Sequence, residues 1–194
     1  MRKTLHEAVQ RIHFSHGQNY DRHAGRMLGG MYRRVADDVA AMAPTAGVVL
    51  DAGCGTGRLA LEIAMRRPDL QVRGVDLEQG MVDVAVQRAE RGRVTDRVVF
   101  IVADLADLPL PDQSVDLIVS TLSLHHWTDV AAVVGSLGRL LRPGGQLWIY
   151  DLRVVPARSV RAAALALGRR VSRTLVRTGW FPAALFQRLA IEAG

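Results

Sequence analysis

Three carboxylates and a run of glycines hold the first chemistry that can be read from the chain. Asp51 stands just before Gly53-Cys54-Gly55-Thr56-Gly57, Asp76 lies 19 residues beyond Gly57, and Asp104 follows a third apolar run. Glycines let a backbone turn tightly and leave bare N–H groups against a ligand. A carboxylate at Asp76 can accept two hydrogen bonds from a ribose diol. One at Asp104 can accept from an adenine amino group. The loop departs from the dinucleotide form, because Gly-x-Gly-x-x-Gly counted from Gly53 would need glycine where Arg58 stands. No Walker lysine accompanies it, so a phosphate cradle loses support.

A second set of groups could move protons. His125 and His126 follow the fourth apolar run, and an imidazole titrates near neutrality. Either could act as a general base. The structural alternative is that they anchor a turn under Trp127. Asp151 is a weaker candidate of the same kind. Cys54 is the single cysteine, which excludes an internal disulfide and a cysteine metal cluster. Its place inside the glycine loop argues against a thiol nucleophile. His6, His13, His16 and His23 are too irregularly spaced for a metal site, and no metal is expected.

Elements must place these groups. Met27, Leu28, Met31, Val35, Val39 and Met42 recur at helical spacing, which predicts a helix over 27–43, stopped before Pro44. Residues 47–51 form a short apolar run ending in glycines, as a buried parallel strand does. Further strands are predicted over 71–76, 98–102, 115–120 and 146–150. Helices are predicted over 58–67, 79–92 and 129–141, and a turn over 142–145. Strands alternating with helices mean βαβ units, right-handed crossovers and a doubly wound, mostly parallel α/β sheet. Ligands in such sheets sit beyond the carboxyl ends of the strands, where the strand order reverses.

With these elements in place, the runs VVLDAGCGTGRLA, GVDLEQGMV, VADLADLPLPDQSVDLIVSTLSLHHW and LLRPGGQLWIYDL resemble the class I S-adenosylmethionine-dependent methyltransferases, which have a Rossmann-like fold. Within them the chain is most similar to the small-molecule group that includes the quinone-biosynthesis methyltransferases. The resemblance covers roughly residues 20–152. It implies S-adenosyl-L-methionine as cofactor. Asp51, Gly53, Gly55 and Gly57 would wrap its methionine and ribose parts. Asp76 would hold the ribose hydroxyls, Leu77 and Met81 would flank the adenine, and Asp104 and Leu105 would meet its edge. Ser120 and Thr121 would lie under the methionyl group. Asn19-Tyr20-Asp21 resembles an N-terminal element that closes over the cofactor. The implied activity is methyl transfer to a small or lipophilic acceptor, by in-line displacement. Nucleic-acid acceptors are disfavoured. Ser120-Thr121-Leu122-Ser123 stands where amino-group DNA methyltransferases carry Asp/Asn-Pro-Pro-aromatic, and no Pro-Cys nucleophile is present.

The resemblance also predicts a departure. Residues 186–194 resemble the helix that precedes strand six, so the C-terminal hairpin of strands six and seven is expected to be missing. Strand five would then expose an open edge, a pairing risk that points to a homodimer. This absence supports a second reading, a catalytically inactive or regulatory cofactor-binding protein. Three segments are expected: a polar N-terminal segment with the lid element (1–26), a cofactor domain (27–152) and a basic helical tail (153–194). In the tail, Val160, Ala164, Leu167, Val171 and Leu175 would share one helical stripe opposite six arginines.

Composition closes the reading. The chain has 194 residues, 49% hydrophobic and 23% charged, which excludes wholesale disorder. The longest uncharged runs are too short for a membrane span of about 20 residues, and no signal peptide is legible. A cytoplasmic location is the default expectation. The net charge of +6 gives a sequence pI of about 10.6. Residues 152–191 hold eight of the 25 basic residues and none of the 19 acidic ones. The basicity therefore belongs to the tail, where a lid over an apolar acceptor or a contact with a membrane surface is to be sought.

Overall fold

A computed structural model describes residues 17–177 and 185–192, with side chains described from residue 29 onward. The first helix, α1, runs over Gly17–Met42 and ends, as expected, just before Pro44. Then follow β1 (Val48–Ala52), α2 (Arg58–Arg66), β2 (Gln71–Asp76), α3 (Gln79–Gly92) and β3 (Val98–Val102). The remaining elements are β4 (Val115–Thr121), a 3-10 turn (Leu124–His126), α4 (Val130–Leu140), β5 (Leu141–Leu152), α5 (Arg158–Ala166), β6 (Val171–Val176) and β7 (Phe186–Glu192).

All seven strands form one sheet in the order β3-β2-β1-β4-β5-β7-β6. Strands β1 to β5 pair in parallel, while β7 pairs antiparallel with both β5 and β6. The order reverses between β1 and β4, the switch point at which open α/β sheets bind ligands.

The C-terminal hairpin expected to be missing is therefore present. Phe186–Glu192 is a strand and not a helix, paired along β5 from Gln146↔Glu192 to Leu152↔Phe186. The physical reason is the open side of β5. Its N–H and C=O groups need partners, and burial of Phe186, Leu189 and Ile191 supplies apolar area as well. The edge of β5 proposed for dimerisation is thus covered within the chain. The basic tail is not one helix either. The helix stops at Ala166, Gly168 takes φ +68°, and the chain re-enters the sheet as β6. A third difference is local. The expected turn over 142–145 is a bulge inside β5, where the register against β4 jumps from Val115↔Leu141 to Leu117↔Gln146.

Two apolar clusters lie on the two faces of the sheet. One, under α1 and α2, contains Val49, Val119, Trp148 and Tyr150. The other, under α4 and α5, contains Leu50, Ile118, Leu147 and Ile149. This is strand alternation of period two. The Tyr150 hydroxyl donates to Asp38 Oδ2 at 2.8 Å and ties α1 to β5. Burial and the neighbouring Asp38 carboxylate push the Tyr150 phenol well above its ordinary pKa, so it stays a donor.

Candidate functional site

The glycine loop leaves β1 and folds onto the end of β2. Gly53 and Cys54 donate backbone N–H bonds to Val75 O at 2.8 and 2.9 Å. The Gly55 N–H donates to Asp76 Oδ2 at 2.7 Å, and the Glu78 N–H donates to Asp76 Oδ1 at 3.1 Å. Gly53, Gly55 and Gly57 all have positive φ, a region that other residues enter at a cost of about 1–2 kcal/mol. Their surroundings differ. A Cβ on Gly53 would collide with Ser123, and one on Gly57 with Phe100 and Ala85. A Cβ on Gly55 would meet nothing within 4 Å. Two of the glycines are therefore required by packing, and Gly55 alone of the three borders open space.

Asp51 is buried to 1% exposure, and its Oδ2 has no hydrogen-bond partner. Burial, with the Asp76 carboxylate adding repulsion, pushes its pKa up to about 7. Ser120 Oγ and Thr121 Oγ1, at the end of β4, are likewise buried without a partner. Buried polar atoms in native proteins are rarely left unpaired. These three stand at the carboxyl ends of β1 and β4, where the strand order reverses.

Register divides the expected residues between the two faces. Asp51 and Thr121 have the parity of Val49 and Val119, and Asp76 that of Val72, on the α1–α2 side. Ser120 and Asp151 have the parity of Ile118 and Ile149, on the α4–α5 side. Asp104 is exposed, and its Oδ1 accepts from the Ala106 N–H at 2.8 Å, capping the turn it begins. Leu77 is 68% exposed and Met81 half-buried, while Leu105 packs against the α4–α5 cluster. Tyr20 falls within α1, and its side chain lies outside the described residues. His6, His13, His16 and the side chain of His23 also lie outside them.

His125 and His126 separate clearly. The His126 side chain belongs to an exposed residue, whereas that of His125 is 5% exposed, with Nδ1 3.2 Å from Asp151 Oδ2. Asp151 is 1% exposed, and its Oδ1 accepts from its neighbour's N–H, Leu152, at 2.7 Å. With Nδ1–H donating to the Asp151 carboxylate, a neutral imidazole would carry its lone pair on Nε2.

Sequence reasoning missed how the glycine loop and this histidine turn are joined. Leu122 has φ +57°, a strained conformation for a branched residue, and costs about 1–3 kcal/mol. It turns the chain so that Ser123 meets Gly53. The Trp127 indole then donates to Ser123 Oγ at 2.8 Å. No sequence signal marks a positive φ at leucine. Arg88 was also missed: from α3 it donates to Thr56 Oγ1 at 2.7 Å and braces the loop from outside. A separate cleft, lined in part by Asp112, Gln113, Arg139 and Arg169, lies at the amino ends of β4 to β6. There Arg139 is already engaged by Leu108 O, Leu110 O and Asp112. Among the described residues no three His, Cys, Asp or Glu side chains gather as a metal site, and no helix is long and apolar enough to cross a membrane.

Comparison with known proteins gives the family of the chain. The 27-O-demethylrifamycin SV methyltransferase of Amycolatopsis mediterranei is 40% identical over 126 residues, 64% of this chain and 46% of that protein. The demethylmenaquinone methyltransferase of Roseiflexus castenholzii is 32% identical over 174 residues, 77% of this chain and 69% of that protein. The chain spans about half the length of the first of these. A solved structure from Methanococcus maripaludis superposes with a TM-score of 0.77 at 21% identity, over 90% of both chains, a likeness of fold. Residues 50–149, from the middle of β1 to near the end of β5, match the family model described as "Methyltransferase domain". By that match, and by the glycine loop and carboxylates it contains, the chain belongs to the methyltransferase domain family.

Proposed function

We propose that the protein transfers the methyl group of S-adenosylmethionine to a small or lipophilic acceptor. The observation that carries this reading is the pair of unpartnered buried oxygens on Asp51 and Thr121, on the same side of the sheet as the Asp76 carboxylate and beside an open Gly55. That donor set fits a ligand with an ammonium or sulfonium charge, a ribose diol and a carboxylate. Asp76 would accept from the ribose hydroxyls, since each of its oxygens retains a lone pair after its backbone bond. Asp51 would face the cationic part and Thr121 the methionyl part, while Ser120 points to the α4–α5 side with His125 and Asp151. When bound, S-adenosylmethionine supplies a methyl group already activated on sulfonium.

The chain's own contribution is alignment and proton removal. Alignment of two reactants is worth up to about 7–11 kcal/mol. His125 Nε2 would take the proton of a hydroxyl acceptor, with Asp151 holding Nδ1–H and stabilising the imidazolium that forms. The pair lies on the α4–α5 side, opposite the Asp51 and Asp76 carboxylates, so acceptor and cofactor would approach from different sides. The reading of an inactive, regulatory protein rested on a missing hairpin, and the hairpin is present.

Titration calorimetry with S-adenosylmethionine tests the cofactor; absence of binding would overturn the whole reading. Labelled-methyl transfer to hydroxylated and lipophilic acceptors tests the activity. Within it, His125→Ala should lower kcat by about a hundredfold or more with cofactor affinity intact. His126→Ala should change kcat by much less. Asp151→Asn should lower kcat and move its acidic pH limb to lower pH, since the imidazolium loses its carboxylate partner, a change that a purely structural role would not produce. Equal turnover in His125→Ala and the parent chain would remove the base assignment.

A further inference from the structure

We propose that the outer edge formed by α5 and β6 docks on an anionic lipid bilayer. The inference rests on this surface and not on the activity proposed above. Arg158 and Arg161 lie on the side of α5 away from its buried residues Val160, Ala163 and Ala164. Leu165 falls between them around the helix, by 3.6-residue spacing, and is 75% exposed. On β6, Arg173 and Leu175 share the parity of Val171, which packs against the cluster under α4 and α5. They therefore project on the same side of the sheet as α5. Leu175 is 51% exposed.

The charge has no counterpart inside the chain. Arg158, Arg161 and Arg173 are exposed and form no ion pair among the described residues, and no acid occurs anywhere in residues 152–191. An uncompensated basic surface repels itself and calls for an external anion. The interleaved leucines select among anions. Nucleic acid offers phosphate but no apolar layer to receive exposed leucine side chains. A bilayer of anionic lipid offers both, headgroup charge for arginine and acyl boundary for leucine. The surface differs from the stripe expected from sequence: Val160 and Ala164 are buried, and Leu165 takes their place outside.

Sedimentation with vesicles tests this, using the whole chain. The protein should co-sediment with vesicles of phosphatidylcholine mixed with phosphatidylglycerol. It should not do so with phosphatidylcholine alone, and raised salt should release it. Arg158→Gln, Arg161→Gln and Arg173→Gln together should weaken partitioning on the order of a hundredfold. Leu165→Ser with Leu175→Ser should weaken it by about tenfold at unchanged charge. All five side chains are exposed, so melting temperature serves as the check that the variants fold. The vesicle and salt comparisons need no variant at all. Equal binding to neutral vesicles, or none to anionic ones, would overturn the proposal. So would salt-sensitive binding that the leucine changes leave untouched, which would mean a general polyanion surface.

Discussion

Arg34, Arg66, Arg67, Arg97, Arg139 and Arg142, all before α5, each lie on a carboxylate at 2.5–3.0 Å. Arg153, Arg158, Arg161, Arg170, Arg173 and Arg177, in and beside α5 and β6, lie on none among the described residues. The first set does internal work. Arg67 donates to Ala40 O and Ala43 O, closing the end of α1, while Asp69 holds its guanidinium. The second set keeps its charge for whatever lies outside. The high pI therefore describes one region, and the region with the cofactor residues is close to neutral.

The largest expected effect tests the packed side of this contrast. Gly53→Ala places a Cβ against Ser123 in a left-handed conformation, at a cost of about 2–5 kcal/mol, and should loosen both the glycine loop and the turn bearing His125. Urea unfolding and cofactor titration would measure it. A stability within about 1 kcal/mol of the parent would show that the loop is not braced there.

Asp51 gives a pH-dependent test of the same region. Its carboxyl has a pKa of about 7 in the folded chain against 3.8 unfolded, so the folded state holds its proton more tightly. That contribution is fully present below about pH 4 and is lost as the pH rises through 7, with a swing of up to about 4 kcal/mol. Asp51→Asn should flatten this window and stabilise the ligand-free protein at pH 8, while weakening S-adenosylmethionine binding. Thermal unfolding across pH 4–8 checks the first part and calorimetry the second. An unchanged pH profile would contradict the burial argument.

The smallest effects compare arginines directly. Arg67→Ala removes bonds to two helix carbonyls and a carboxylate, and should cost about 1–2 kcal/mol. Arg161→Ala should stay within about 0.5 kcal/mol of the parent. If the two changes cost the same, the division between inward and outward arginines fails.

Much of the fold was legible because the local signals agreed with one another. The strand–glycine–helix unit from Val48 to Arg66 reads directly from an apolar run, three glycines and a following amphipathic stretch. Helix α3 has its expected bounds. The candidate site was legible as a set of residue types, but not as a geometry. Nothing in the sequence says that Asp151 meets His125 rather than His126, since the pair is brought together by the register of β4 and β5.

The chain by itself determined the order of βαβ units and the carboxylates that end their strands, because period, glycine spacing and proline stops act within a few residues. Tertiary structure alone decided the chain beyond β5. Phe186–Glu192 has a pattern that a helix could also use, and a strand's fate depends on the neighbour it pairs with. The unsatisfied edge of β5 resolved that ambiguity. Likewise, Leu122 accepts a strained backbone only because the surrounding sheet end fixes it, joining the glycine loop to the histidine turn through Ser123.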